Sequence, residues 1–388
     1  MTEPTGIRDP IYGDITLTKA ERRVLDTQPV QRLRRIKQLG LSSLVYPGAT
    51  HTRFEHSLGV MHIAGKLAEQ LGLDDTQVTE ARMAGLLHDA GHGPYSHASE
   101  VVTEQSHVPH EELSCEVVDE LSGKIPADAE RVKDYIRGDA DVNIVAGVVD
   151  ADRIDYLRRD SDATGLEYGT IDIETLIKFA GLVDGDFVFN EKAVQTLEGF
   201  LTARFHMIRS VYYHHASQIA ETMLQRALEQ YVEEHGHEQL REIDDYEMHH
   251  ALRNATDPAR YLYERIINRN LYKRSLIIGQ ETLSRDELAT LSDVGDARGL
   301  EERIARKANV DPTHVVVNLP ATPSQKPYDI DIQHDGSVKP LREVTPIPEA
   351  LREAEWRVAE MAVYTPKSEV DGVNSSAEEV VYDVLDEH

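Results

Sequence analysis

Apolar and polar positions alternate along this chain with two different periods. In EHSLGVMHIAGKLAEQLG, Leu58, Met61, Ala64, Leu67 and Leu71 recur every three or four residues, which predicts a helix stopped at Gly72. DTQVTEARMAGLLHDAGHGP predicts a second helix, with Val78, Ala81, Gly85 and His88 on one stripe and a break at Gly91, Gly93 and Pro94. Further helices are expected near 110–122, 128–137, 141–160, 172–181 and 191–232. Ahead of them, DPIYGDITL alternates like a small hairpin and leads into PVQRLRRIKQLG, ended by Gly40. After about residue 276 the strand period returns in THVVVNLP and YDIDIQHDGSVKPL, followed by a helix and RVAEMAVYTPK. The expected fold is mainly α: a helical core over 1–275 with its N-terminal hairpin, a small α+β part over 276–367, and a flexible acidic tail over 368–388.

Length agrees with two domains, since 388 residues exceed one average domain. The formal charge is −28, from 41 Lys and Arg against 69 Asp and Glu. Such a field repels polyanions, so nucleic acid and anionic membrane surfaces are not expected partners, and an anionic substrate has to be small and met by focused arginines. The excess of acidic residues and of Arg over Lys is the surface bias of a halophilic protein in a salt-rich cytoplasm. Cys115 stands alone, which removes an intrachain disulfide and any cysteine-based metal cage. With no signal-peptide pattern and no apolar run of roughly 18 residues, a cytoplasmic protein is expected.

The chemistry concentrates around His88 and Asp89 in LLHDAGHGPYSH, at the C-terminal mouth of an apolar helix. Alone, such a dipeptide is an ordinary helix end. Together with His56 in the preceding helix and Asp152 in VVDADRIDYLRRD, it supplies two imidazoles and two carboxylates from three helices, a donor set suited to a divalent first-row metal. Asp152 and Tyr156 share one helical face, which Ile144 and Val148 would continue upstream. A salt bridge or an N-cap is the alternative for Asp152 alone.

YPGATHTRFEHSLGV, LLHDAGHGPYSHASE, DADRIDYLRRD and DTQPVQRLRRIKQLG closely resemble the HD-domain phosphohydrolases, in particular their deoxynucleoside triphosphate (dNTP) triphosphohydrolase branch, from about residue 9 to at least 275. No sterile-alpha-motif domain is expected, because DPIYGDI already begins at Asp9. The resemblance implies a metal site of His56, His88, Asp89 and Asp152 holding Fe, Mn, Zn or Ni, with additional Mg among the expectations. It implies attack of water on the α-phosphorus, with release of triphosphate and a deoxynucleoside. Arg53, Arg153 and Arg204 would hold phosphate, with His92 and His97 lining the channel. Arg153 stands where the family has a lysine, so its planar fork replaces an ammonium. His110 would protonate the leaving 5′-oxygen, assisted by Glu100, which replaces the family's aspartate, and by the adjacent Glu111.

For the sugar, the resemblance implies Gln38, Leu39, Tyr156 and Asp160 around the ring and Tyr212 beneath it. Asp26, Gln31 and Arg34 match an activating-nucleotide site, and Val45, Tyr46, Arg269 and Lys273 match part of a neighbouring one. Arg8 and Ser210 depart from that pattern, standing in place of an asparagine and an arginine. A homotetramer, or a dimer, is expected. His51 and Glu55 are expected to cap the helix or to pair at the surface. Two rivals remain: an HD phosphohydrolase acting on another phosphate ester, such as a 5′-nucleotide or cyclic dinucleotide, and a non-catalytic nucleotide sensor.

Overall fold

A computed structural model describes residues 5–104, 108–237, 240, 242–294, 296–321, 323 and 328–387. They fall into two compact units, each made of three stretches of chain: Met1–Tyr212, Gly236–His249 and Lys326–Pro348 in the first, Tyr213–His235, His250–Gln325 and Glu349–His388 in the second. This interleaving replaces the single boundary expected at residue 275.

The first unit opens with the expected hairpin, β1 (Thr5–Asp9) and β2 (Gly13–Leu17), in which Ile7 faces Ile15. α1 (Lys19–Leu25) begins with a reciprocal cap: Glu21 N donates to Thr18 Oγ1 at 3.1 Å and Thr18 N to the Glu21 carboxylate at 2.7 Å. After α2 (Gln28–Arg32) come the two helices read most directly from the apolar stripe, α3 (Arg53–Gln70) and α4 (Asp75–Leu87). They cross so closely that a Cβ at Gly85 would lie 2.8 Å from the backbone nitrogen of Met61. No larger residue fits there, and the crossing brings the rings of His56 and His88 to 5.2 Å.

α5 (His97–Glu104), α6 (His110–Leu121) and α7 (Ala129–Arg137) follow. α8 is Ala151–Thr164, ten residues shorter at its start than the pattern suggested. Asn143 bonds the Ala146 N–H at 3.0 Å, a local alternative to helix, and Asp150 caps α8 by accepting from Arg153 N at 2.6 Å. Ile144 and Val148 therefore do not extend the Asp152 face.

α9 (Ile173–Lys178) stops early, and the chain forms the hairpin β3 (Ala180–Val183) and β4 (Asp186–Asn190). The long helix expected over 191–232 is divided into α10 (Val194–Met207), a π-helical turn (Ile208–Tyr212) and α11 (His215–His235). Such turns widen the backbone ladder and re-aim side chains.

The remaining elements are α12 (Asp245–Asn254), α13 (Ala259–Ile267), β5 (Lys273–Gly279), α14 (Arg285–Val294), α15 (Ala297–Ala308), β6 (Val316–Asn318), β7 (Asp331–His334), β8 (Ser337–Pro340), α16 (Leu341–Val344), α17 (Ile347–Val358), β9 (Glu360–Thr365) and α18 (Val370–Glu387). The strands expected in one C-terminal part belong to two sheets. β7 and β8 turn through Asp335 and Gly336, both at positive φ (48° and 76°), and β7 joins β4 in parallel with Ile332 beside Phe189, giving the order β3-β4-β7-β8 in the first unit. In the second unit β9 lies between β5 and β6.

The acidic tail forms α18 instead of a flexible segment. Val373, Ala377, Val380, Val381 and Val384 line one face and join Leu288, Leu300, Ile304 and Val363 in the core of the second unit. Its Glu, Asp and Ser residues occupy the other positions. Val381 is fully buried. Val381→Asp is expected to cost about 3–5 kcal/mol by burying an unpaired charge, read as a lower urea midpoint; an unchanged midpoint would mean that α18 does not cover this core.

No helix among the described residues is long and apolar enough to cross a membrane.

Candidate active site

Three helices converge on the candidate metal centre. α3 supplies His56 from its first turn, the end of α4 supplies His88 and then Asp89, and α8 supplies Asp152 from its first turn. His56 Nε2 is 3.0 Å from Asp152 and 3.6 Å from Asp89; His88 Nε2 is 3.4 Å from Asp89 and 3.7 Å from Asp152. Both Nε2 atoms are buried without an aligned hydrogen-bond partner among the described residues. Their Nδ1 atoms are engaged from behind, His56 with Asp155 at 2.8 Å and His88 with the Gly85 carbonyl at 2.9 Å. Those acceptors place the Nδ1 protons outward and leave each Nε2 lone pair for an ion. Asp152 is 32% exposed, which leaves one side of the cluster open.

The electrostatics also favour a cation. Burial alone would lower the His56 imidazole, but the carboxylates of Asp152, Asp155 and Asp89 around it push it up to about 10. Burial would raise the Asp89 carboxyl; Arg53, His88 and His92 instead hold it well below the usual carboxylate range. A field that draws a proton onto a buried imidazole also suits a divalent ion, whose binding would displace that proton. The residues therefore fit a metal of the His and carboxylate type.

Arg53 lies beside this cluster. It donates from Nη1 to Asp89 at 2.6 Å and from Nε to Ser96 Oγ at 2.7 Å, while its Nη2 is buried with no partner among the described residues, an N–H edge suited to an anion. Glu100 sits among three histidines, 2.9 Å from His92 Nε2, 2.9 Å from His97 Nδ1 and 3.2 Å from His110 Nδ1. The rings of His92 and His110 are 4.0 Å apart, and Glu111 is 3.4 Å from His110. Burial and Arg53 lower His92 to about 3. Burial would raise Glu100, but the three imidazoles hold it far below its ordinary value. Arg153 is turned toward Asp150 and the Gly147 carbonyl. Arg204, in the last turn of α10, acts with Arg153 on the Tyr156 hydroxyl, which burial nevertheless pushes up to about 12.

The sugar-side residues form a second group. Asp160 is 1% exposed, accepts from the Tyr212 hydroxyl at 2.6 Å and is 2.8 Å from His51 Nε2. Tyr156 and Tyr212 meet edge to face with centroids 6.3 Å apart. Gln38 N donates to the His51 carbonyl at 3.1 Å, and Gln38 Oε1 is buried without a partner among the described residues. Leu39 occupies the same turn. Of the activator set, Asp26 pairs with Arg22 at the surface, Gln31 bonds the Leu25 carbonyl, and Arg34 bonds Gln31 while stacking 3.5 Å over the Phe54 ring. Val45 and Tyr46 lie in the first unit, where Tyr46 bonds the Ser210 carbonyl; Arg269 and Lys273 lie in the second. Arg8 pairs with Asp14 in the hairpin.

Glu55 caps α3 as expected, accepting from Thr52 N at 2.6 Å. His51 does not: its side chain is 8% exposed and held by Asp160. Asp155 and Arg159 were also missed, although their i, i+3 and i, i+7 spacing from Asp152 places them on the inner side of α8. A partner 99 residues away in the chain, His56, gives Asp155 its role, and no local pattern signals it.

An HD-domain family model matches residues 53–160, and a model of the HD-associated region matches residues 171–385. An uncharacterized protein of Methanocaldococcus jannaschii is 35% identical over 372 residues, covering 94% of this chain and 80% of its own. The deoxynucleoside triphosphate triphosphohydrolase SAMHD1 homolog of Dictyostelium discoideum is 30% identical over 78% of this chain and 64% of its own; the deoxynucleoside triphosphate triphosphohydrolase SAMHD1 of Homo sapiens is 28% identical over 74% and 57%. The chain thus spans less than two thirds of those two relatives. A crystal structure of a phosphohydrolase from Bacteroides thetaiotaomicron superposes with a TM-score of 0.74 at 27% identity, covering 94% of this chain and 100% of the other. Two family models that together account for most of the chain, around an HD cluster built as described, make this protein a member of the HD-domain phosphohydrolases that carry the HD-associated region.

Proposed function

We propose that this phosphohydrolase is a dNTP triphosphohydrolase acting at the α-phosphorus. The observation that carries this reading lies on α8, where Asp152, Tyr156 and Asp160 follow at four-residue spacing along one face. Each step is about 6 Å along the axis, so sugar-binding groups would begin one helical turn from the metal cluster. That spacing suits a nucleotide whose α-phosphate lies at the metal, with its sugar directly behind. The names of the Dictyostelium and human relatives support the same substrate class.

His56, His88, Asp89 and Asp152 would hold the metal, which supplies Lewis acidity and an acidified water when bound. Arg53 offers its Nη2 edge to the phosphate, with Arg204 and Arg153 adding charge along the polyphosphate and His92 and His97 lining its path. Water oxygen bonds to the α-phosphorus as the bond to the 5′-oxygen breaks. His110, oriented by Glu100 and flanked by Glu111, gives that oxygen its proton; 26% exposure keeps it within reach of a ligand. Gln38, Leu39, Tyr156, Asp160 and Tyr212 close around the deoxyribose and leave no place for a 2′-hydroxyl. Iron, manganese, zinc or nickel suits these ligands. Assembly as a homotetramer, activation by nucleotide through Asp26, Gln31 and Arg34, and work in a salt-rich cytoplasm belong to the same proposal.

The test is product separation after incubation with each dNTP and each ribonucleotide in high KCl with Mn²⁺. Triphosphate plus deoxynucleoside is expected, with little ribonucleoside. Stepwise loss of single phosphates would move the enzyme to another phosphate ester, and absence of turnover with any metal or added nucleotide would leave the sensor.

A further inference from the structure

A line of buried charges runs from the N-terminal hairpin to the metal cluster. Asp9, at the end of β1, is 3.0 Å from Arg159 Nη1; Arg159 donates from Nε and Nη2 to the two oxygens of Asp155, both at 3.0 Å; Asp155 accepts from His56 Nδ1 at 2.8 Å. The side chains of all four are at most 3% exposed. The other Asp9 oxygen accepts from the backbone N–H groups of Ile11 and Tyr12 at 2.8 and 2.9 Å, so the hairpin turn itself fixes the carboxylate.

Arg159 alone would neutralise Asp155. Two carboxylates around one guanidinium leave an excess negative charge behind the imidazole, which raises its strength as a donor and holds its ring in one orientation. The helix opposite has made room for this arrangement. A Cβ at Gly59 of α3 would lie 1.8 Å from Asp155 Oδ1 and 2.7 Å from Arg159 Nη2, so glycine there is required by the ion pair.

We propose that Asp9 is a positioning residue for the metal centre, acting on His56 through Arg159 and Asp155. This rests on His56 being a metal ligand. The hairpin is then a structural part of the metal site although none of its residues touches the ion.

Full-length protein stripped of metal is titrated with Mn²⁺ by calorimetry, and metal content is measured after dialysis. Wild type is expected to bind one ion per chain at the cluster, and Asp9→Asn to bind it about tenfold more weakly, the lower end of what loss of an outer-shell partner costs. Gly59→Ala changes no charge but presses a methyl group into the Asp155–Arg159 pair, and the same direction of loss is expected. Asp14→Asn, which breaks the exposed Arg8–Asp14 pair in the same hairpin, is expected to bind as wild type. Circular dichroism and Tm of the metal-free proteins identify any variant that fails to fold. Equal affinity in wild type, Asp9→Asn and Gly59→Ala would overturn the proposal and leave the metal site standing. Equal losses in Asp9→Asn and Asp14→Asn would overturn it in favour of hairpin stability, and wild type without Mn²⁺ binding would remove the metal reading itself.

Discussion

Asp152→Asn is expected to lose phosphohydrolase turnover by about three orders of magnitude or more while the protein remains folded. The substitution keeps the side-chain shape and removes the carboxylate that lies 3.0 Å from His56 and 3.7 Å from His88. Metal acting as Lewis acid contributes several kcal/mol to a phosphoryl transition state, and each 1.4 kcal/mol or so is a factor of ten in rate. Asp152 is also the most exposed member of the cluster, at 32%, and buried His56 keeps Asp155 as a second carboxylate partner at 2.8 Å when Asp152 is replaced. Turnover of the substrate that the wild type cleaves, measured with metal content, decides the matter. A variant that turns over at the wild-type rate with metal removed would place the chemistry elsewhere.

Arg53→Ala is expected to affect both stability and activity. Arg53 is 2% exposed and bonds Asp89, itself 3% exposed. Its removal leaves that carboxylate buried without its nearest permanent positive charge, a defect costing about 3–5 kcal/mol. Urea unfolding of the metal-free variant is expected to show this loss, and saturating Mn²⁺ to recover part of it, because the ion replaces the missing charge. Arg53→Lys keeps the charge but not the fork, so a smaller stability loss is expected beside a clear loss of phosphate grip. An unchanged unfolding midpoint in Arg53→Ala would show that Asp89 does not depend on this partner.

The convergence of His56, His88, Asp89 and Asp152 was legible because they sit in short local patterns: an HD pair where an apolar stripe meets glycines, and one ionisable residue at the head of each neighbouring helix. What the sequence hid depends on distance along the chain. His51 looks like a capping histidine until α8 brings Asp160 against it, and Asp155 looks like a solvated acid until His56 arrives from α3. The strands of YDIDIQHDGSVKPL were readable by period, but the period does not say that β7 would lie beside Phe189 rather than beside β6. Acidic composition masked α18, where the informative signal was the valine stripe and not the charge.

Interleaving of the two units has a consequence for biosynthesis. On the ribosome, β4 is complete long before β7, its parallel neighbour, has been made, and most of the intervening chain belongs to the other unit. During translation the nascent first unit therefore exposes an unpaired strand edge at Phe189 and Asn190, a feature that invites wrong pairing. A fragment stopped at residue 275 would carry every candidate ligand and still keep that edge open, so an excised HD domain makes a poor stand-in for the whole chain.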